Sequence, residues 1–178
     1  MTSARADERA PRPALLCYDG SDNARGAIEE AGAVLGGGPA VVLTVWESIG
    51  PPALRHPIPA VAEFGRDFRD SSKEVVAALD AQTAAWARAT AAEGAELARG
   101  SSFDARPVAH RALGRPAEPI DGTVWQAVID IADQEDAAVI VLGSRGSSGL
   151  KAALLGSVSY GVVHNADRPV LTVPPADG

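Results

Sequence analysis

The chain has 178 residues, 46% of them hydrophobic, a net charge of −7 and a single cysteine, Cys17. That length suits one domain with a sizeable core, and no apolar run is long enough to span a membrane. Lysine occurs only at Lys73 and Lys151, so the basic footprint of a nucleic-acid binder is missing, and one cysteine excludes an internal disulfide and fits a reducing cytoplasm.

Residues 1–13 lack the apolar stretch of a secretory signal and read as a disordered tail. Ala14–Tyr18 is an apolar run of strand length, in which Cys17 reads as a buried, inert thiol. Ala24, Ala27, Ile28, Ala31, Val34 and Leu35 recur at helical spacing, and Gly36-Gly-Gly38 stops that helix. Ala40–Trp46 is the second strand. Residues 47–70 have no clean period and carry Pro51, Pro52, Pro57 and Pro59, which predicts a long irregular insert. Phe64 and Phe68 suggest that part of it packs down. Its departure from the end of the second strand suggests a segment able to close over a ligand there.

Ser71-x-x-Glu74 is a capping box, and it predicts an alanine-rich helix from there to Gly100 carrying Val75, Leu79, Trp86 and Leu97. Ala105–Ala112 is a third strand. Thr123-x-x-Gln126 opens a further helix with Val124, Val128 and Ile131 on one face. Ala138–Leu142 is a buried strand, Ser157 to about Asn165 a short helix, and Val170–Val173 a last strand. Strictly alternating β and α elements imply a single-domain α/β fold, an open parallel five-stranded sheet with helices on both faces, Rossmann-like, with right-handed connections.

The most informative stretch is Gly143-Ser-Arg145-Gly146, nine residues, then Gly156-Ser157. It lies between a strand's carboxyl end and a helix's amino end, where α/β proteins hold phosphates. The first N–H groups of a helix are unpaired and its dipole favours anions. Glycine lets the backbone approach a ligand closely, and Ser157 can cap the helix or donate a hydroxyl to a phosphate. Arg145 and Lys151 could supply the local cations that an acidic chain needs; their other reading is solvated surface charge. Ser159 either helps at this helix start or faces solvent.

The G-x2-G-x9-G-[ST] spacing resembles the ATP-binding branch of the universal stress protein family. The resemblance extends over Leu15-Leu-Cys-Tyr-Asp19-Gly-Ser21, Val41-Val-Leu-Thr-Val45-Trp-Glu47, Gly114-Arg-Pro-Ala-Glu-Pro-Ile120 and Arg168-Pro-Val-Leu-Thr-Val173, nearly the whole of residues 14–175. It implies strand order 3-2-1-4-5, whose winding reverses between strands one and four. Ligands in open α/β sheets bind at such a reversal, beyond the carboxyl ends of the strands. It implies that Gly143, Arg145, Gly146, Gly156 and Ser157 hold phosphates and that the backbone of Val45 meets adenine, with its side chain ordinary core. Asp19 would bind the ribose; its other reading is to cap the first helix with Ser21 and Asp22. Tyr18 and Trp46 place aromatic rings beside that site, either able to stack on adenine, with Trp46 reading equally as core. Asp121–Gln126 departs from the family pattern by lengthening the entry into a helix.

No Walker loop and no G-x-S-x-G elbow occur, and His56, His110 and His164 share no metal-ligand spacing. The resemblance therefore implies a cytoplasmic, homodimeric, ATP- (or ADP- or AMP-) binding stress-response regulator. Its nucleotide would carry Mg²⁺ largely on its own phosphates, and its dimer would form through Val170–Val173. Slow ATP hydrolysis or autophosphorylation is the enzymatic alternative. A dimeric interaction module with a structural nucleotide or a cyclic nucleotide is the other. No catalytic and no metal-ligating residues stand out.

Overall fold

The computed structural model describes residues 10–47, 66–112, 120–144 and 155–175. Strand β1 (Ala14–Cys17), helix α1 (Asp22–Leu35), strand β2 (Gly38–Glu47), helix α2 (Arg66–Gly100) and strand β3 (Phe103–Ala112) follow one another along the chain. Helix α3 (Ile120–Gln134), strand β4 (Val139–Gly143), helix α4 (Ser157–Asn165) and strand β5 (Val170–Val173) complete it. All strands are parallel, in the order β3-β2-β1-β4-β5. The alternation of elements and the reversal between β1 and β4 are as the sequence implies.

The two sheet faces separate along each strand with a period of two. Leu16, Tyr18, Val42 and Val141 turn towards α1 and α2, in one apolar cluster with Ala27, Ile28, Ala31, Ala95 and Ala98. Leu15, Leu43, Ile140 and Leu142 form the other, with Val128, Ile131 and Val162 of α3 and α4. Small residues bring the helices close. A Cβ on Gly94 would stand 2.6 Å from a Tyr18 ring carbon, and one on Gly161 would stand 2.4 Å from the Trp125 ring. Each glycine is thus a socket for an aromatic side chain.

Helix ends follow local chemistry. Ser21 caps α1, its Oγ accepting from the Ala24 N–H at 3.2 Å. Gly36, in the left-handed conformation at φ 75°, ends it. At the amino edge of the sheet, Arg168 donates to the Ala132 and Ala137 carbonyls at 2.7 and 3.1 Å and pairs with Asp133 and Asp167. Arg12 donates to the Asp136 and Ala137 carbonyls at 2.9 and 3.0 Å. Both guanidinium groups thus sit at the negative end of the α3 dipole.

Three boundaries differ from expectation. α2 already runs from Arg66, so Ser71-x-x-Glu74 lies inside it. A capping signature marks a helix start only where the preceding residues cannot be helical, and Arg66–Asp70 contains neither Gly nor Pro. α3 begins at Ile120, directly after Pro119, instead of at Thr123, and Asp121–Gln126 belongs to the helix despite Gly122. Arg12 and Pro13 are not free tail. Arg12 is bonded as above, and the Pro13 carbonyl accepts the Ala138 N–H at 2.8 Å. Of the expected insert 47–70, Glu47 belongs to β2 and 66–70 to α2. Residues 48–65, with Phe64 and the four prolines, and residues 1–9 lie outside the described residues.

Candidate functional site

The register across the sheet sets the site. Cys17 pairs with Leu43, and Leu16 with Val141. Counting two or three residues onward puts Val45, Asp19 and Ser144 level with one another on β2, β1 and β4, each step about 4.8 Å. The sequence signals at Val45 and Asp19 thus fall in one row along the carboxyl edge, with Gly143 one residue below it, at the reversal of winding.

β1 leaves the sheet through Tyr18, whose N–H still donates to the Leu43 carbonyl at 2.9 Å. The carbonyl of Tyr18 accepts from the buried Thr44 hydroxyl at 2.8 Å. Asp19 is half-buried, and its Oδ1 accepts the Ser21 N–H at 3.0 Å. Gly20 turns the chain at φ 83° into the cap at Ser21. The helix-capping role weighed for Asp19 is therefore present in the structure: this carboxylate braces the turn from which α1 starts.

The β4 side is built differently. The Ser144 N–H donates to the Val173 carbonyl at 2.7 Å, and the Ser144 carbonyl accepts the Gly156 N–H at 2.7 Å. The strand end and the helix start are therefore joined directly. The buried Ser159 hydroxyl adds a second tie, donating to the Gly143 carbonyl at 2.8 Å. Ser159 thus neither faces solvent nor points at a ligand. Gly156, at φ −68° and ψ 163°, is the N-cap of α4, with no side-chain cap bond and no acidic residue in the first turn. Ser157, expected as a possible cap, is the first helical residue and is exposed. Gly143, Gly156 and Ser157 are brought together. Arg145, Gly146 and Lys151 lie outside the described residues.

Val45 packs its side chain on the α3/α4 side of the core, as expected of that side chain. The two aromatic candidates are otherwise committed. Tyr18 is buried under Gly94, and its hydroxyl donates to Glu93 Oε1 at 2.8 Å while Arg25 bonds the same carboxylate at 2.8 Å. Burial, and then the hydrogen bond to Glu93, push the Tyr18 hydroxyl up to about 12. Tyr18 therefore holds α2 to β1 and is not available for stacking. Trp46 is covered by the Arg111 guanidinium, 5.4 Å from the ring centre, which also bonds Asp80 at 3.0 Å. Cys17 is an inert thiol as expected: burial, helped by Asp19, raises it to about 12. Sequence reasoning missed Ser144, whose signal was only its place between Gly143 and Arg145.

Residues 11–174 match the profile of the universal stress protein family. The chain belongs to that family. Among curated relatives, universal stress protein MJ0531 of Methanocaldococcus jannaschii is 39% identical over 56 residues, 32% of this chain and 33% of that protein. Universal stress protein Rv1636 of Mycobacterium tuberculosis is 39% identical over 72 residues, 39% of this chain and 49% of that protein. The matched stretches thus span between about a third and a half of these relatives' lengths. In three dimensions, universal stress protein UspA from Lactobacillus plantarum superposes with a TM-score of 0.60 at 20% identity, over 92% of this chain and 98% of that one. The hypothetical protein MJ0577 superposes at 0.55 and 18%, over 94% and 98%. A universal stress protein solved in complex with cAMP superposes at 0.52 and 20%, over 94% and 99%. These likenesses establish a shared fold. Among the described residues, no helix is long and apolar enough to cross a membrane, and no group of three His, Cys, Asp or Glu side chains could hold a metal ion.

Proposed function

We propose that this member of the stress-protein family binds an adenine nucleotide, ATP, ADP or AMP, at the crevice between β1 and β4. It would act as a regulatory module that holds its ligand and turns it over slowly or not at all. The observation that carries this reading is the start of α4. Among the described residues its first N–H groups have neither a capping side chain nor a carboxylate in the first turn, and the helix begins at the closing Gly-Ser of the G-x2-G-x9-G-[ST] motif. Phosphates fit there, with Gly143, Arg145, Gly146, Gly156 and Ser157 around them. The ribose falls over Asp19 and the base over Val45, in the order in which the strands lie. Any Mg²⁺ would be carried mainly by the phosphates and water, which asks few protein ligands. Mass spectrometry of the ligand released from purified, undialysed protein tests the reading, together with calorimetric titration by Mg-ATP. Bound adenine nucleotide, or micromolar affinity, supports it; an empty protein that takes up none refutes it. A cyclic nucleotide is the second reading, favoured by the cAMP complex of a protein with the same fold. Competition between cAMP and ATP decides between them.

Two further parts belong to this reading. Among the described residues β5 pairs only with β4 and lies at a sheet edge with Val170, Leu171 and Thr172 half-buried, a surface suited to twofold pairing with a second copy. Replacing Val170 and Leu171 by Lys would then give a monomer by light scattering. Hydrolysis should stay at about 10⁻³ s⁻¹ or less, as in a GTPase without its activating partner. Single-turnover release of labelled phosphate measures it, and turnover near 1 s⁻¹, lost in Gly146→Val, would make the protein an enzyme. A cytoplasmic place suits its single, raised thiol at Cys17.

A further inference from the structure

The chain has three tryptophans. Trp125 fills the Gly161 socket and Trp46 lies under Arg111. Trp86, on α2, is 52% exposed. Its position is fixed by its neighbours on the same helix face. Glu93, seven residues on, bonds the Tyr18 hydroxyl and Arg25. Thr90, four residues on, abuts Gly20, where a Cβ would lie 3.7 Å from its methyl carbon. Residues spaced by four and seven share one side of a helix. The side of α2 that carries Trp86 is therefore the side turned to β1 and the Asp19–Gly20 turn.

α2 runs opposite to the strands, from the carboxyl edge of the sheet to the amino edge, where β3 begins. Thr90 is level with Gly20. Trp86, one turn earlier, has its Cα about 6 Å above that level. Helical side chains lean towards the amino end, so its ring leans further out over the edge. α1 starts only at Asp22 and is packed against α2 further down, so Trp86 projects beyond it. On the proposed reading, phosphates stand over β4, ribose over β1 and base over β2. α2 covers β2 and β3 on one face of the sheet, which puts Trp86 beside the place of the base.

We infer that Trp86 is a wall of the base subsite, its indole ring packing against the purine of the bound nucleotide. The inference rests on the proposed nucleotide reading and adds to it the residue that tells a nucleotide from a bare polyphosphate. An aromatic ring on a base face favours any base, since every base has a π surface.

The test measures the affinities of Mg-ATP and of inorganic tripolyphosphate, which has no base, for wild type, Trp86→Leu and Trp86→Tyr. Because Trp86 is exposed, the variants should fold as wild type does, checked by thermal melting. Trp86→Leu should weaken Mg-ATP about tenfold, leave tripolyphosphate unchanged, and be rescued by Trp86→Tyr. Tryptophan fluorescence of wild type should also change on addition of Mg-ATP more than that of Trp86→Leu. Equal Mg-ATP affinity in wild type and Trp86→Leu overturns the inference while the nucleotide reading stands. An equal loss for ATP and tripolyphosphate overturns it too, since the residue then acts through the fold. A wild-type dimer that Trp86→Leu dissolves with no change in ATP affinity assigns the face to a second copy instead. A wild type that binds no nucleotide removes both readings.

Discussion

Two helices begin at the carboxyl edge of this sheet on neighbouring strands, and they begin in opposite ways. α1 satisfies its first turn with its own chain: Ser21 accepts from Ala24, Asp19 accepts from Ser21, and Asp22 puts a negative charge at the positive end of the dipole. α4 starts at Gly156 with no side-chain cap and no carboxylate in its first turn. Glycine in place of a capping side chain costs a helix only about a few tenths of a kcal/mol, and on the proposed reading the open N–H groups receive an anion. The comparison sets a helix start closed by its own chain against one that, on that reading, is left for a ligand.

If α4 lacks a cap, something else must hold it in place, and the structure points to packing and to Ser159. The largest effect should come from Gly161→Ala, whose Cβ would meet the Trp125 ring at 2.4 Å. Overpacking of this kind costs about 1–3 kcal/mol, which thermal melting would register as a fall of several degrees. An unchanged melting temperature would mean that α4 is positioned by other means. Ser159→Ala should cost about 1–2 kcal/mol, because the Gly143 carbonyl loses its buried hydroxyl donor. It should also weaken Mg-ATP, since β4 and the start of α4 come apart. Calorimetry showing full affinity in a destabilised protein would separate the two roles. Ser21→Ala should cost about 1 kcal/mol in urea unfolding and leave nucleotide affinity intact, because α1 offers nothing to phosphate. Loss of binding there would collapse the difference between the two helix starts.

The smallest effect concerns the bracing of β1. Tyr18 is raised from 10.0 to about 12 by burial and by its bond to Glu93. A raised pKa means that the folded state favours the protonated hydroxyl. That contribution is complete below pH 10 and is lost as pH climbs towards 12. Tyr18→Phe should flatten part of the stability loss across that window, measured by urea titration at several pH values. Cys17 has the same sign and nearly the same window, and should resist thiol reagents until the protein unfolds. Labelling of native protein at pH 8 would contradict its burial.

Much of this was legible in the sequence because the signals were local. Gly36-Gly-Gly38 ended α1 through one left-handed glycine, and the β strands announced themselves as apolar runs. The meeting of Val45, Asp19 and Gly143 at the carboxyl edge followed from strand order. The illegible parts were set by tertiary neighbours. Ser71-x-x-Glu74 has the chemistry of a cap but sits inside α2, because the chain before it was also able to be helical. Tyr18 looked free to stack until Gly94, Glu93 and Arg25, brought in by α2, enclosed it. Ser159 gave no sign that its partner would be the Gly143 carbonyl, sixteen residues back along the chain. Trp86 was one of four large apolar residues named along α2, and only the register of Thr90 on Gly20 lifted it above the edge.

The open start of α4 is the central claim, and Gly156→Asp tests it most directly. The backbone of Gly156, at φ −68° and ψ 163°, already has the extended geometry of a side-chain cap, so aspartate takes it up without backbone strain. It would give α4 what α1 has, a carboxylate that accepts the first N–H groups and repels phosphate. Thermal melting and Mg-ATP calorimetry on the same preparation should then move apart. The melting temperature should hold or rise, and nucleotide affinity should fall by about a hundredfold or more. A stably folded Gly156→Asp protein that binds Mg-ATP as tightly as wild type would contradict the account.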